Sequence, residues 1–323
     1  MAKVQKRQHC RTGDYPLDTC ITVWHWPHQE RWYDEGIRNS LTLIKEAGFT
    51  HINWNPDSGS SYWLADAEIE FTSRIVADAG LKVHSVHGSN GRNPITEIGH
   101  KNPGPFAMET RKDFLSPHEW QRRSGVELLR NRVDLAAAFQ SPNIVLHIDI
   151  NDNVFGSEAA ERAFFDPLYQ SPRRNQVLLR RKGRPDCRGN SPCANAQNFL
   201  NLYDRLFARY GKEFIGVCFD CGHWELIEPG KLSVLERFAD RLIATHIHDN
   251  FGAMDNHLLP FDGRLDWHAI ASAIAATPYQ TPLNFETPMD RYGIPESAYY
   301  RRAHSVAVRL EEMVAEARAR NRP

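Results

Sequence analysis

The chain has 323 residues, 39 Lys plus Arg against 40 Asp plus Glu, and a formal net charge of −1. That balance excludes a global electrostatic pull toward nucleic acid or an anionic membrane, and the length allows one barrel domain as readily as two smaller ones. Six cysteines are too few for a disulfide framework in a chain this long, and no run of about eighteen apolar residues marks a membrane span, so the expectation is a soluble, cytoplasmic protein.

The basic N-terminus has no apolar h-region and opens an extension over residues 1–18. Beyond it, short apolar runs alternate with longer stretches of helical periodicity, the pattern of repeated βα units and a parallel sheet. The runs predict strands over 20–26, 51–55, 82–87, 143–149, 215–220, 242–248 and 282–286. Helices are predicted over 31–47, 64–79, 117–139, 196–210, 232–240, 267–276 and 296–318. One βα unit is then missing, and its place is between 149 and 194. Eight units close a (β/α)₈ TIM barrel, read here as a single α/β domain across 1–323 with a tail at 319–323.

In such a barrel the active site lies at the C-terminal ends of the strands. His87, His147, Asp220, His246 and Glu286 all fall at or near predicted strand ends. Residues 88–115 form a long loop rich in Gly, Asn and Pro, of the kind that covers or shapes a pocket. Trp24, Trp26, Trp54 and Trp63 cluster early in the chain; packing and a stacking platform for a sugar ring both fit them, and Trp26 is the candidate contact. Cys218 and Cys221 have CxxC spacing, but with no second pair to complete a zinc knuckle they read as reduced packing residues.

Three segments carry the chemistry: Asp220-Cys-Gly-His223, then His246-Ile-His-Asp249 followed by Asp255-Asn-His257, and finally Asn284-Phe-Glu286. Imidazole and carboxylate together suit a divalent metal such as Zn, Mn or Mg. Strand alternation turns His248 inward wherever His246 is inward, so both stay candidates.

On these motifs the chain, from Ile21 to Val314, resembles the xylose isomerase-like TIM barrel superfamily, which holds sugar isomerases and epimerases and the metal-dependent apurinic endonucleases. The resemblance implies a divalent metal on Asp220, His246 and Glu286, with Glu286 also moving a proton. His223 matches a position used for substrate or a further metal, and is taken as catalytic together with Glu286. His87, His147, His248, Asp255 and His257 are taken as substrate-side residues. In kind and order, His87, His147, Asp255 and His257 also match the extra ligands of the three-zinc endonucleases, which keeps a phosphodiesterase reading open. The near-neutral charge favours a small sugar over nucleic acid as partner. Barrels of this type often dimerise, so a homo-oligomer is an open expectation. A third reading is a catalytically inactive barrel that binds a sugar.

The resemblance also implies a second metal-binding Glu at the end of the fifth strand. Residues 171–192 stand there instead, with six arginines, one lysine and a single acid, Asp186. The run shows neither periodicity. Shifting its reading frame by one base turns Asn175 and Asp186 into Ile or Thr and allows an acid in place of Gly189. The shifted run reads as a helix start and then a strand ending in that acid. The expectation is therefore a frame-shifted stretch with an incomplete metal site; the alternative is a divergent basic insertion.

Overall fold

The computed structural model describes residues 17–24, 35–56, 62–88, 112–148, 150, 153–170, 177–180 and 196–321. Eight strands follow in chain order: β1 Cys20–Val23, β2 His51–Trp54, β3 Lys82–His87, β4 Asn143–His147, β5 Val177–Arg180, β6 Ile215–Asp220, β7 Leu242–His246 and β8 Asn284–Phe285. From β1 to β7 each strand pairs in parallel with the next, and β1 also pairs with β8. The ring closes between β7 and β8, where Ile247 N–H donates to the Asn284 carbonyl (2.8 Å) and Glu286 N–H to the Ile247 carbonyl (3.0 Å). With no free edge left, every strand finds a partner on both sides.

Helices α1 Ile37–Ala47, α2 Asp66–Asp78, α3 Glu119–Ala138, α4 Glu158–Gln170, α5 Ala196–Arg209, α6 Cys221–Ile227, α7 Ser233–Phe238, α8 Trp267–Ala275 and α9 Glu296–Arg320 surround the strands. The large apolar core lies between the strands' outer faces and these helices, with residues such as Ile21, Leu41, Ile52, Leu146, Phe219, Ile274 and Phe285. Gly48 ends α1 at φ 109°, and a Cβ there would come within 2.7 Å of the His304 ring on α9. Only glycine meets both demands.

A smaller apolar cluster, Val145, Cys218 and Ala244, marks the inward face of β4, β6 and β7. On the other side of the barrel the interior is polar. Thr22, Asn53, Ser85 and Asn284 hydrogen-bond across β1, β2, β3 and β8. Buried amides and hydroxyls are tolerated there because they satisfy one another. Among the described residues no helix is long and apolar enough to cross a membrane.

The missing βα unit is α4 with β5. The helix precedes the arginine-rich run, and Pro167 inside it obscures its periodicity. The strand lies within the run as written, which corrects the expectation that 171–192 carries no strand without a change of frame. Val177-Leu-Leu179 is the short apolar run expected of a strand with neighbours on both sides in a parallel barrel. Residues 181–195, including Asp186 and Gly189, lie outside the described residues, as do Trp26 and most of 1–18 and 88–115. Five strands are shorter than predicted: β1 stops at Val23, β2 at Trp54, β4 at His147 and β7 at His246, and β8 is only Asn284–Phe285. α9 runs on to Arg320, into the expected tail.

Candidate metal centre

Asp220 ends β6 and also caps α6, its Oδ1 accepting from the His223 N–H at 2.9 Å. The chain therefore passes from strand to helix without a loop, and the cap holds the carboxylate at the barrel mouth. One helical turn on, the His223 ring returns to the same place. Its Nδ1 lies 3.1 Å from Asp220 Oδ2 and its Nε2 2.7 Å from Asp255 Oδ2.

His246 ends β7, with Nδ1 2.9 Å from Glu286 Oε2. Two residues on, His248 reaches Asp220 Oδ1 through Nε2 at 2.8 Å. As strand alternation requires, both imidazoles point to the same face. His248 fits only because residue 222 is glycine, since a Cβ there would lie 2.1 Å from its ring. The Cys221 thiol, buried and free, sits against the His248 backbone, 3.3 Å from its N and 3.2 Å from its O. Cys218 is likewise buried and free, so both cysteines pack as expected.

Asp255 and His257 arrive on the loop after β7. His257 Nε2 lies 3.0 Å from Asp255 Oδ2, and its Nδ1 donates to the Glu286 carbonyl at 2.8 Å. Its ring stacks on His248 with centroids 4.0 Å apart. The loop is organised by Asp249, a residue the sequence reading passed over. Its buried carboxylate accepts from the N–H groups of Asn250, Phe261 and Leu265 and from Trp267 Nε1. The only signal was its place in the His246-Ile-His-Asp249 motif.

Two sets of donor atoms result, each gathered within 4.8 Å: Asp220, His246 and Glu286, and beside them His223, His248, Asp255 and His257. The expected ligand trio is the first set. His248, Asp255 and His257, expected on the substrate side, and His223, expected to be catalytic, come together as the second of these sets.

The electrostatics follow from this packing. Burial opposes a charge on His223, but Asp220 and then Asp255 outweigh it and hold the imidazole up to about 10. Burial likewise opposes ionisation of Asp255, yet His223 and His257 keep its carboxyl well below the usual range. Burial pushes His248 down, and His257 adds to that. For His257 burial is outweighed by Asp255, so its pKa rises. Carboxylates and imidazoles packed this tightly are the donor chemistry of a divalent ion.

Across the mouth, His87 and His147 meet Nε2 to Nε2 at 2.9 Å. His87 Nδ1 lies 3.1 Å from the Gly88 carbonyl, which can only accept. The neutral His87 therefore carries its hydrogen on Nδ1, and His147 donates from Nε2. The His87 ring is 5.9 Å from that of His246, so this pair faces the first donor set. Trp24, one step past β1, sets its indole at right angles to His257 with centroids 6.2 Å apart. Of the described early tryptophans this is the one at the site; Trp54 is buried against Phe139 and Trp63 is half exposed on the surface.

Residues 41–309 match the family model described as xylose isomerase-like TIM barrel. The "Uncharacterized protein y4fM" of Sinorhizobium fredii is 68% identical over 307 residues, covering 95% of this chain and 99% of its own. Among solved structures, 3-keto-D-glucoside 4-epimerase from E. coli is similar at a TM-score of 0.60 and 18% identity, covering 90% of this chain and 99% of its own. A D-psicose 3-epimerase is similar at 0.60 and 15%, covering 91% and 99%. A D-tagatose 3-epimerase-like protein follows at 0.59 and 16%, covering 92% and 98%. At those identities the structures share the fold, while the family model spans most of the chain: the chain belongs to the xylose isomerase-like TIM barrel family.

Proposed function

We propose that the chain is a divalent-metal-dependent isomerase or epimerase of a sugar or sugar derivative. One observation carries the reading: Asp220, His246 and Glu286, from three successive strands of the sheet, bring a ligand atom each within 4.8 Å of the others while almost wholly buried. Two carboxylates and an imidazole would hold Mn, Mg or Zn. When bound, such an ion supplies Lewis-acid polarisation of a substrate carbonyl.

The chain's own residues supply the proton traffic. Glu286 is the base that takes the proton from the carbon next to the carbonyl. His223, held between Asp220 and Asp255, is the acid that returns one. His87 and His147 line the opposite side and hold substrate hydroxyls. Among the described residues no carboxylate ends β5, so Glu286 acts without a second Glu. The partner is a small sugar, and no nucleic acid is needed.

The test is Glu286→Gln in protein loaded with Mn²⁺, assayed against D-fructose, D-tagatose, D-psicose and 3-keto-glucosides. General acid–base transfer contributes about 10²–10⁴-fold, so turnover falls by that order. Undiminished turnover refutes the assignment.

The second donor set favours one other reading. His223, His248, Asp255 and His257 together with the His87–His147 pair extend the ligand field beyond one ion, as a multi-zinc phosphodiesterase needs. Incision of abasic duplex DNA by zinc-loaded protein, with more than one zinc per chain, supports it; no DNA binding at low salt dismisses it.

A further inference from the structure

Opposite the carboxylates, the barrel mouth holds polar groups that no described residue answers. Asn55 follows β2 and is only 6% exposed, yet its Oδ1 has no hydrogen-bond partner among the described residues. The Trp24 Nε1–H, just past β1, is buried and equally bare. Both lie on the inward face. Thr22 and Asn53 bond to each other inside the barrel, and a side chain two residues further along a strand returns to the same side.

The registers align them. Thr22 pairs with Asn53 and Val23 with Trp54, so Trp24 and Asn55 are level on adjacent strands. Trp54 pairs with Val86, which sets Asn55 level with His87. The row Trp24, Asn55, His87 thus runs along one wall, with the Trp24 indole edge-on to His257 at one end and the His87–His147 pair at the other. Lower rows of the same strands behave differently: Thr22, Asn53 and Ser85 satisfy one another. Past the C-terminal ends of β1 and β2, Trp24 Nε1 and Asn55 Oδ1 stay bare among the described residues.

A buried amide oxygen left unpaired is unfavourable, and buried polar groups in folded proteins are nearly always answered. We infer that Asn55 and Trp24 form a hydroxyl-binding subsite for the sugar, with Asn55 Oδ1 accepting from one hydroxyl, Trp24 Nε1–H donating to another and the indole face covering ring C–H groups. This rests on the sugar-enzyme reading and names the wall that orients the substrate against Glu286. An amide oxygen and an indole N–H offer a hydroxylated ligand one acceptor and one donor, and neither carries charge. The subsite therefore selects for hydroxyl pattern and not for an anionic group.

The experiment compares wild type, Asn55→Leu and Trp24→Phe, the last keeping an aromatic ring while losing the donor. Two quantities are read: the melting temperature of each protein without sugar, and the dissociation constant for D-fructose, D-tagatose and D-psicose with Mn²⁺ present. The expected result is an unchanged or raised melting temperature for Asn55→Leu, and sugar binding weakened about tenfold in each variant. Mn²⁺ binding itself stays unchanged. A melting temperature lowered by several degrees in Asn55→Leu makes Asn55 structural and overturns the inference. Equal sugar affinity in wild type and both variants overturns the subsite while leaving the sugar reading intact. Absence of binding by wild type to every sugar in the panel overturns both.

Discussion

The two walls of the barrel mouth handle buried polarity in opposite ways. On the wall of β6, β7 and β8, carboxylates and imidazoles are packed into close contact: Asp220 touches His223 and His248, Asp255 touches His223 and His257, and Glu286 touches His246. On the wall of β1 to β4 the groups are an indole, an amide and two imidazoles, the imidazoles meeting Nε2 to Nε2. The first wall concentrates negative charge and metal-binding donors, and the pKa values of His223 and His257 rise because carboxylates adjoin them. The second offers an indole N–H, an amide and imidazoles as hydrogen-bonding groups. A site that polarises a substrate at one side and orients it from the other has this division of labour.

Changes on the two walls should therefore differ in kind. The largest effect is Glu286→Gln, which removes the base and lowers turnover by about 10²–10⁴-fold with little change in sugar affinity. Next is Asp255→Ala. It strips His223 and His257 of a shared carboxylate, and breaking a buried charged pair costs about 3–5 kcal/mol, read as a lower urea midpoint in metal-free protein. His87→Ala, on the other wall, should move that midpoint far less and raise KM more than it lowers kcat. An Asp255→Ala midpoint no lower than that of His87→Ala would erase the distinction.

A control lies away from the mouth. Burial raises the carboxyl of Glu311 from 4.5 to about 7, against the Leu283 N–H that it accepts. An acid whose pKa is raised on folding contributes stability that is complete below about 4.5 and lost as pH rises through about 7. A shift of that size corresponds to about 3 kcal/mol, so Glu311→Gln should flatten the fall in stability between pH 5 and pH 8. A wild-type profile that rises across this window contradicts the assignment. The smallest effect is Gly222→Ala. The added Cβ must push His248 aside, an overpacking penalty of about 1–3 kcal/mol, and metal affinity should fall with it.

How much of this the sequence disclosed depends on what each residue answers to. The three donor segments were legible because strand ends are set by apolar runs, and Asp220, His246 and Glu286 close three of them. His248 followed from alternation alone. The grouping of His223, His248, Asp255 and His257 was not legible, because it depends on a loop path fixed by Asp249 and on the clearance at Gly222. β5 was hidden because Val177-Leu-Leu179 sits among arginines. Trp24 and Trp26 share a strand parity, so periodicity could not choose between them. Asn55 carried no motif, and only its burial without a partner reveals it.

The central claim is that Asp220, His246 and Glu286 hold a divalent ion. Titration of metal-stripped protein with Mn²⁺, followed by calorimetry and by the paramagnetic resonance of free Mn²⁺, tests it in wild type and in an Asp220→Ala/His246→Ala double variant. The account predicts at least one tightly held Mn²⁺ per wild-type chain, with that binding lost in the double variant. Wild-type protein that takes up no divalent ion, or a double variant that binds as tightly as wild type, would contradict it.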